Sequence, residues 1–356
     1  MRVQNLITSL ARGLTVARST AGRTIAIAMM LTLVAAACAD DDAATTDTTT
    51  EETTTTEAPA EETTTTAEAD ADVDGTTDAA PTEPTTSVRD SGMRVTVQQA
   101  GAVMVHTLTA PEEVFANSTH IIETENTLVL VDTQFLLPNA VDFRAYADDL
   151  GKPIDRVFIT HEHPDHFLGS EAFADLPIFA LEEVSTRIAE IGDAEVEEKQ
   201  ADFGPEAIAS TYVVPEVVEP GTLEIDGITF ELTEVRDAEA DFQLVIRLPG
   251  TGAIVVGDII YSGVHLILAG QPDTWTVAIN GLVADSDEYP IVLPGHGLPD
   301  DPSVYDENIA WLATASELIA TVDTSEEFKQ GLVDAYPDLG MTAAIDFVFP
   351  FLFPDE

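Results

Sequence analysis

The hydrophobic pattern changes at Met93, and beyond it short apolar runs alternate with longer amphipathic stretches. Continuous or alternating apolar runs rich in Val, Ile and Leu predict strands, here over 94–98, 103–108, 118–123, 127–132, 154–160, 222–235, 242–248, 253–257 and 290–293. Helical spacing predicts helices over 139–150, 181–192, 273–284, 303–322 and 325–335. Because strands and helices interleave, residues 93–356 are predicted to form a layered α/β or α+β domain.

The first 37 residues have the pattern of an export signal. Residues 1–23 carry four arginines and no acidic residue, and residues 24–37 are predominantly apolar. This apolar stretch is shorter than the roughly 20 residues needed to cross a bilayer. The segment Ala35-Ala36-Ala37-Cys38 resembles a bacterial lipobox, which implies cleavage before Cys38, lipid attachment to Cys38 and anchoring to the outer face of the cell membrane. The alternative is an ordinary signal peptide on a secreted protein, with an incidental cysteine.

Residues 38–92 are of low complexity, with threonine runs at 53–56 and 63–66 between acidic residues, alanine and proline. A segment with so few large apolar side chains and so much like charge cannot bury a core. We predict a disordered, self-repelling tether that holds the domain away from the membrane. A Thr-rich stalk that carries sugars is the alternative.

Charge and cysteine content exclude two classes of partner and site. The chain has 65 acidic and 14 basic residues, a formal net charge of -51. Nucleic acid is therefore not an expected partner, because phosphate binding requires clustered Lys and Arg. Cys38 is the only cysteine, so a disulfide within the chain and a cysteine-based zinc knuckle are both excluded. A metal site would have to use His, Asp and Glu.

Such residues are concentrated in the segment His161-Glu162-His163-Pro164-Asp165-His166, directly after an apolar strand. Imidazole and carboxylate groups are the ligands that zinc and related metal ions prefer. On a tight loop after a strand, His161 and His163 are expected to point to the same side. Asp165 and His166 are then within reach of a neighbouring position. The segment predicts a metal site.

With three further motifs in the same order, the segment resembles the metallo-β-lactamase superfamily. The further motifs are the strand that ends in Asp132 (VLVDT), the pair Gly257-Asp258, and Pro294-Gly295-His296-Gly297. The resemblance implies a four-layer αββα sandwich with two divalent metal ions at one edge, between the sheets. It implies the following ligands: His161 and His163 for one ion, Asp165, His166 and His296 for the other, and Asp258 as the bridge. Asp132 would support the loop rather than bind metal.

This family normally has one more histidine between the first cluster and the bridging aspartate, and this chain has none there. Counting back from the strand at 242–249, the family position falls near Glu239. A similar glutamate is a ligand in the alkylsulfatase-like branch, which favours Glu239 as the ligand. Asp237 is the competing candidate, and the alternative is that Glu239 is one of many surface acids.

The glutamate alters the charge that the resemblance implies for the site. Asp165, Asp258, Glu239 and a hydroxide would bring four negative charges against the four positive charges of two divalent ions. Such a near-neutral site is a weaker Lewis acid than one with a histidine in place of Glu239, and its extra oxygen ligand is harder than imidazole. We expect zinc, with manganese or iron as alternatives.

The resemblance also implies the reaction, which is hydrolysis of a small molecule. Paired metal ions lower the pKa of bound water from near 15.7 to about 7, and Asp165 is expected to orient the resulting nucleophile. The substrate would be an ester, lactone, β-lactam, thioester, sulfate ester or phosphate ester, and a fold cannot decide among these. The alternatives are a non-catalytic binding protein with one metal ion or none, and an iron-dependent oxidoreductase.

Other residues remain secondary candidates. His265 and Tyr261 follow Asp258 closely and are candidates for substrate binding, with a structural role as the alternative for each. His106 and His120 lie on predicted strands and are expected to be structural. For the Phe-rich tail at 347–353 core packing is expected, and a flap over the substrate or a dimer contact is the alternative.

Overall fold

The computed structural model describes residues 83–354. The predicted signal peptide, Cys38 and the tether up to residue 82 lie outside the described residues, so export and lipid attachment stay predictions. Within residues 83–354, no helix is both long enough and apolar enough to cross a bilayer.

The first sheet has eight strands in sequence order. They are β1 (Thr85–Val88), β2 (Arg94–Ala100), β3 (Val103–Thr109), β4 (Ser118–Glu123), β5 (Leu128–Val131), β6 (Ile154–Phe158), β7 (Ile178–Ala180) and β8 (Glu216–Val217). Strands β1 to β5 pair antiparallel, and β5 to β8 pair parallel. The parallel half places the carboxyl ends of β5 and β6 side by side. Residue 132 follows β5 and the loop 159–163 follows β6, so both begin at the same edge of the sheet.

The second sheet has five strands in the order β13-β12-β11-β10-β9. They are β9 (Gly221–Ile225), β10 (Ile228–Arg236), β11 (Phe242–Leu248), β12 (Ala253–Ser262) and β13 (Ile291–Gly297). Only β12 and β13 pair parallel, and their register shifts on both sides of Gly257. Irregularities of this kind bend a strand and redirect its side chains, and Asp258 follows directly.

Helices cover the outer faces of both sheets. They are α1 (Leu137–Asp149), α2 (Pro164–Phe167), α3 (Glu182–Phe203), α4 (Pro272–Val283), α5 (Ser303–Thr321), α6 (Ser325–Ala335) and α7 (Phe349–Leu352). Four helices, α1, α2, α4 and α7, have a proline in their first turn. The N–H that proline lacks has no partner within the helix at this position, so no helical hydrogen bond is lost.

The buried side chains divide into two cores, as the alternation along β11 shows. Leu244 and Ile246 belong to a core shared with the first sheet and with α1 and α3. Val245, between them, belongs to a core formed with α4, α5 and α6, which contains Trp275 and Trp311. Successive strand residues point to opposite faces of a sheet, so the second sheet is covered on both sides. The predicted four-layer αββα sandwich is confirmed.

Several bounds differ from those predicted. Residues 85–88, assigned to the tether, form β1 and pair with β2, and Arg89 of the same segment forms an ion pair with Asp142 of α1. The strand predicted over 222–235 is a hairpin, because Asp226 and Gly227 both have positive φ and make a turn. Helix α3 extends to Phe203 and β12 to Ser262, and β7 and β8 were not predicted.

The C-terminal tail begins with a 3-10 helix over Thr342–Val348 and continues into α7. Within the Phe-rich tail at 347–353, Val348 is buried in the second core and Phe349, Leu352 and Phe353 pack against it, which agrees with core packing for these four residues. Phe347 and Phe351 are 47% and 60% exposed. The ring of Phe347 lies 5.4 Å from that of Phe115, so the tail contacts the turn between β3 and β4.

Candidate metal centre

The loop after β6 places the histidine segment at the edge between the two sheets. Asp132, at a positive φ of 62° directly after β5, accepts hydrogen bonds from the backbone N–H and the hydroxyl of Thr160 at 2.8 Å and 2.9 Å. Its Oδ2 also lies 2.8 Å from Nδ1 of His166. Asp132 therefore joins the ends of two neighbouring parallel strands, as its supporting role requires.

Four side chains form what we call the first group: His161, His163, Glu239 and Asp258. Nε2 of His161 lies 3.7 Å from Oε2 of Glu239 and 3.7 Å from Oδ2 of Asp258. Nδ1 of His163 lies 3.0 Å from Oε1 of Glu239. One nitrogen or oxygen of each residue falls within 4.8 Å of the others, which is the spacing of ligands around one metal ion.

Four side chains form the second group: Asp165, His166, Asp258 and His296. Nε2 of His166 lies 3.2 Å from Oδ1 of Asp258, and Nε2 of His296 lies 2.9 Å from its Oδ2. Oδ2 of Asp165 is 3.5 Å and 3.3 Å from the same two nitrogens. Asp258 belongs to both groups, which is the division that the resemblance implies for a bridging ligand.

Small residues make room for this arrangement. A Cβ on Gly295 would lie 1.8 Å from Oδ1 of Asp258, and a Cβ on Gly270 would lie 1.8 Å from the carbonyl oxygen of Ala238. Gly295 thus lets β13 approach the shared carboxylate. Gly270 lets the loop between β10 and β11, which carries Glu239, pack closely. A side chain at position 295 would displace Asp258, and one at position 270 would displace the backbone of Ala238, next to Glu239.

The second nitrogen of three histidines is held from outside the groups. Nδ1 of His161 lies 3.0 Å from the hydroxyl of Thr160, and Nδ1 of His166 faces Asp132. Nδ1 of His296 donates to the carbonyl oxygen of Phe115 at 2.6 Å. A proton held on Nδ1 leaves the lone pair on Nε2. All three rings therefore present Nε2 to the carboxylates.

Proton affinities in the second group reflect opposed buried charges. Burial acts to raise the pKa of Asp165 and Asp258, but the neighbouring histidine charges outweigh it and hold both well below the usual range. Burial acts to lower the pKa of His166 and His296, and the two carboxylates outweigh it. The pKa of His166 lies well above its usual value, and that of His296 is raised to about 10. Positive charge is favoured between these residues.

In the first group, the two histidines have pKa values shifted in opposite directions. Burial, together with the charge of His166, lowers the pKa of His161 well below its usual value. Burial raises the pKa of Glu239 to about 7 although His163 opposes it. Burial acts to lower the pKa of His163, but Glu239 and other carboxylates raise it to about 10. A neutral His161 and a carboxylate at Glu239 are the forms that bind a metal ion.

The buried atoms that lack a partner test whether cations fit this centre. Four atoms are buried and make no hydrogen bond to any described residue: Nε2 of His161, Oδ2 of Asp165, Oε2 of Glu239 and Oδ1 of Asp258. Unpaired buried polar atoms are rare in folded proteins and require an explanation. All four point into the two groups and offer nitrogen or carboxylate oxygen, the donors that zinc, manganese and iron accept. The residues fit divalent cations.

The remaining predicted residues divide into those inside and those outside the centre. Asp237 is exposed and belongs to neither group, whereas the side chain of Glu239 is 1% exposed. The hydroxyl of Tyr261 donates to Oδ2 of Asp258 at 3.0 Å, and its ring stacks on His296 at 4.6 Å. Tyr261 therefore supports two members of the second group.

His265 is not brought to the centre. It is fully buried, its Nδ1 accepts from Nε1 of Trp311 at 3.1 Å and its backbone N–H donates to Gly340. Among the described residues it makes no hydrogen bond to either group, so substrate binding by His265 stays a prediction without a supporting contact. His106 and His120 make contacts of the structural kind expected of them. His106 contacts Tyr146 and Glu123, and His120 contacts Thr107 and the carbonyl of Pro294.

A groove of about 500 Å³ lies beside the histidine loop, with Glu162 of that loop in its lining. It lies between the start of α3 and the loop between β10 and β11, and it is lined by Glu162, Glu182, Glu183, Thr186, Arg187, Glu190, Asp241 and Phe242. His163, next to Glu162, is 31% exposed. Solvent therefore reaches the centre from the side of the first group.

Some contributors to the centre had no sequence signal. Two such groups reach the centre because Asn117 pairs with His296. One is the carbonyl of Phe115, which accepts from Nδ1 of His296. The other is the side chain of Asn117, whose Nδ2 lies 3.5 Å from Nε2 of His166. Phe115 and His296 are 181 positions apart along the chain. Only the order of strands in the two sheets brings them together.

A family model described as the metallo-beta-lactamase superfamily matches residues 113–296. No curated protein matches the sequence. Solved structures with a similar fold include a metallo-beta-lactamase from Pontibacter korlensis, with 17% identity over 65% of this chain and 99% of that chain and a TM-score of 0.47. They also include the metallo-beta-lactamase FIM-1 from Pseudomonas aeruginosa in its mono-zinc form. It has 17% identity over 65% of this chain and 96% of that chain, and a TM-score of 0.48.

The match to the family model covers just over half of the chain and contains every member of the two groups, from His161 to His296. The two sheets and their outer helices agree with this assignment. The chain belongs to the metallo-beta-lactamase superfamily and is a metal-dependent hydrolase of that fold.

Proposed function

We propose that this protein is a dinuclear hydrolase that cleaves an ester, lactone, lactam, thioester, sulfate ester or phosphate ester. The observation that carries the proposal is the position of Asp258, whose carboxylate belongs to both groups of four side chains. One shared carboxylate between two sets of ligands is the arrangement that holds a pair of cations. When bound, the cations supply Lewis acidity and water of lowered pKa.

The residues of the second group orient the nucleophile. Oδ2 of Asp165 is buried and has no hydrogen-bond partner among residues 83–354, and it lies within 3.5 Å of Nε2 of both His166 and His296. A carboxylate in this position accepts a proton from water and fixes the direction of its lone pair. Asp165 is the residue that we assign to this role.

Tyr261 keeps the shared carboxylate in place. Burial raises the pKa of its hydroxyl well above the usual value, and the charge of Asp258 adds to this effect. The hydroxyl therefore stays protonated and donates to Asp258 at neutral pH. Substrate binding by Tyr261 would require this hydroxyl to exchange its acceptor.

We propose zinc as the resident metal ion, with manganese or iron as alternatives. Glu239 supplies an oxygen where a histidine nitrogen is usual in this family, and its side chain is buried against His161 and His163. Three carboxylates lower the net positive charge of the loaded centre, and a harder donor shifts preference toward manganese and iron.

We also propose that the mature protein begins at Cys38 and is held by lipid to the outer face of the membrane. The basis is the sequence alone: arginines before an apolar stretch, then the lipobox-like segment that ends in Cys38. The acidic residues 39–82 would then lie between the anchor and the domain.

The function is tested with purified protein on chromogenic esters, lactones, thioesters, sulfate esters, phosphate esters and cephalosporins. We expect zinc-loaded protein to hydrolyse one class, chelation to abolish the activity, and zinc to restore it. The Asp165→Asn variant keeps an oxygen in the second group but loses the charge that accepts a proton, and it should lose most of the rate, whereas Asp237→Ala should match the wild type. Two bound metal ions without hydrolysis of any class would instead favour a binding protein on this fold.

A further inference from the structure

Asn117 is a fully buried residue beside the second group that no part of the proposed mechanism uses. Its backbone is fixed by an antiparallel bridge to His296 and by the hydrogen bond from the N–H of Ala110 to its carbonyl. Its side-chain Nδ2 lies 3.5 Å from Nε2 of His166, and its Oδ1 makes no hydrogen bond within the part of the chain that the structure describes. The amide is therefore held against the centre by strands on both sides.

The contact with His166 cannot persist when a cation is present. Nδ1 of His166 is engaged with Asp132, so Nε2 carries the single lone pair of the ring and faces both carboxylates of the second group. A lone pair that binds a cation cannot also accept from Asn117. The amide N–H groups would then be buried without an acceptor, and a buried unpaired donor is destabilising.

We propose that the Nδ2–H of Asn117 donates to the substrate oxygen that lies at the second group, which makes Asn117 a further catalytic residue. This inference rests on the proposed hydrolase function. The hydrolysed groups share one feature, an oxygen that gains negative charge as the nucleophile adds. A fixed donor aimed at that oxygen stabilises the charged form more than the substrate.

A ligand for Asn117 can be chosen by its chemistry, without reference to the substrate. Any small oxyanion that places an oxygen at the second group should accept from Asn117, and inorganic phosphate is the simplest probe. Its charge resembles that of the developing oxyanion. Its binding is measured by calorimetry on zinc-loaded protein without any turnover.

The experiment compares zinc content and phosphate affinity in wild type, Asn117→Ala and Asn117→Asp. We expect about two zinc ions per chain in all three and a phosphate dissociation constant roughly tenfold higher in Asn117→Ala, the effect of one hydrogen bond to a charged group. For any substrate found, kcat should fall about a hundredfold while KM changes little. Asn117→Asp keeps the shape of the side chain, lacks the donor and serves if the alanine variant does not fold.

The matched control is Asn139→Ala. Asn139 is also a buried asparagine with an unpartnered Nδ2, but it lies in α1 and makes no hydrogen bond to either group among the described residues. It should leave phosphate affinity unchanged.

Three results would overturn the inference. They are phosphate binding that Asn117→Ala leaves unchanged, phosphate that wild type fails to bind at all, and zinc lost from Asn117→Ala, which would make Asn117 part of the metal site. If wild type binds phosphate through Asn117 but hydrolyses nothing, the proposed function fails and the assignment of Asn117 stands.

Discussion

The two halves of the metal centre are supported to different degrees. In the second group, His166 is held by Asp132, and His296 is held by the carbonyl of Phe115 and stacked on Tyr261. In the first group, His163 is 31% exposed and its Nδ1 faces Glu239, another member of the same group. Oε2 of Glu239 makes no hydrogen bond to any residue in 83–354.

This difference predicts an order of metal affinity. Outer hydrogen bonds fix the orientation of a histidine before the metal arrives and raise its affinity. The second group has its ligands in place through contacts with both sheets, whereas the first group relies on the cation to hold His163 and Glu239. We therefore expect the first group to lose its ion first when a chelator is added.

The largest effect is expected from Asp258→Asn, because this change removes the carboxylate that both groups share. The amide keeps the shape but loses the charge that opposes His166 and His296. We predict that metal content falls well below two per chain and that activity falls about a thousandfold, since each tenfold corresponds to about 1.4 kcal/mol and Lewis-acid stabilisation contributes several. Activity within tenfold of wild type would exclude Asp258 as the bridge.

Glu239→Ala should remove the ion of the first group alone. We predict that metal content falls from about two to about one and that activity falls about a hundredfold, while Glu239→His restores a second ion. Asp237→Ala is the matched control, because Asp237 is exposed in the same loop and should leave metal content unchanged. An unaltered content in Glu239→Ala would move the ligand role to Asp237 or to water.

A smaller effect is expected from Asp132→Asn, which touches no cation. Loss of the carboxylate partner of His166 Nδ1 should weaken metal binding at the second group by 10- to 100-fold, typical of outer hydrogen bonds to ligands. Competition with a chelator in the Glu239→Ala background isolates this affinity. If the affinity is unchanged there, outer support does not explain the difference between the two groups.

The smallest effect concerns stability, through His120 beneath the second group. Burial lowers the pKa of this fully buried histidine to about 4, and it links Thr107 of β3 to the carbonyl of Pro294 in β13. Between pH 6.5 and 4 the unfolded chain therefore binds a proton that the folded chain does not, so stability falls as the pH falls.

From pH 7 to pH 5 this loss should amount to about 2 kcal/mol. The measurement is urea unfolding at both pH values for wild type and for His120→Gln, which cannot titrate, in the same metal state. The variant should lose about 2 kcal/mol less than wild type between the two pH values. Equal losses would show that His120 does not contribute.

The residues that build the centre were not equally predictable from the sequence, for a physical reason. His161 to His166 are consecutive on one loop, so their common location follows from local geometry. Glu239 could be placed by its distance from the strand Phe242–Leu248, because hairpin register is regular. The carbonyl of Phe115 and the side chain of Asn117 could not, because they reach the centre only through the contact between β4 and β13.

The same limit explains His265 and the outer strands. Nearness to Asp258 in sequence made His265 a candidate for substrate binding or for a structural role, and its contact with Trp311 of α5 follows from a turn after Gly263 that the sequence pattern did not show. The strands β7 and β8 have only three and two residues, too short for a periodic signal. The layered fold was predictable because long strands such as β3, β4 and β11 show clear apolar runs.

The central claim is that two cations occupy the two groups that Asp258 joins. Elemental analysis of purified protein, after metal supplementation and removal of unbound ions, tests it most directly. We predict close to two divalent ions per chain, falling to about one in Glu239→Ala and well below one in the double variant with Asp258→Asn. Wild-type protein that retains no metal ion after supplementation would contradict the claim.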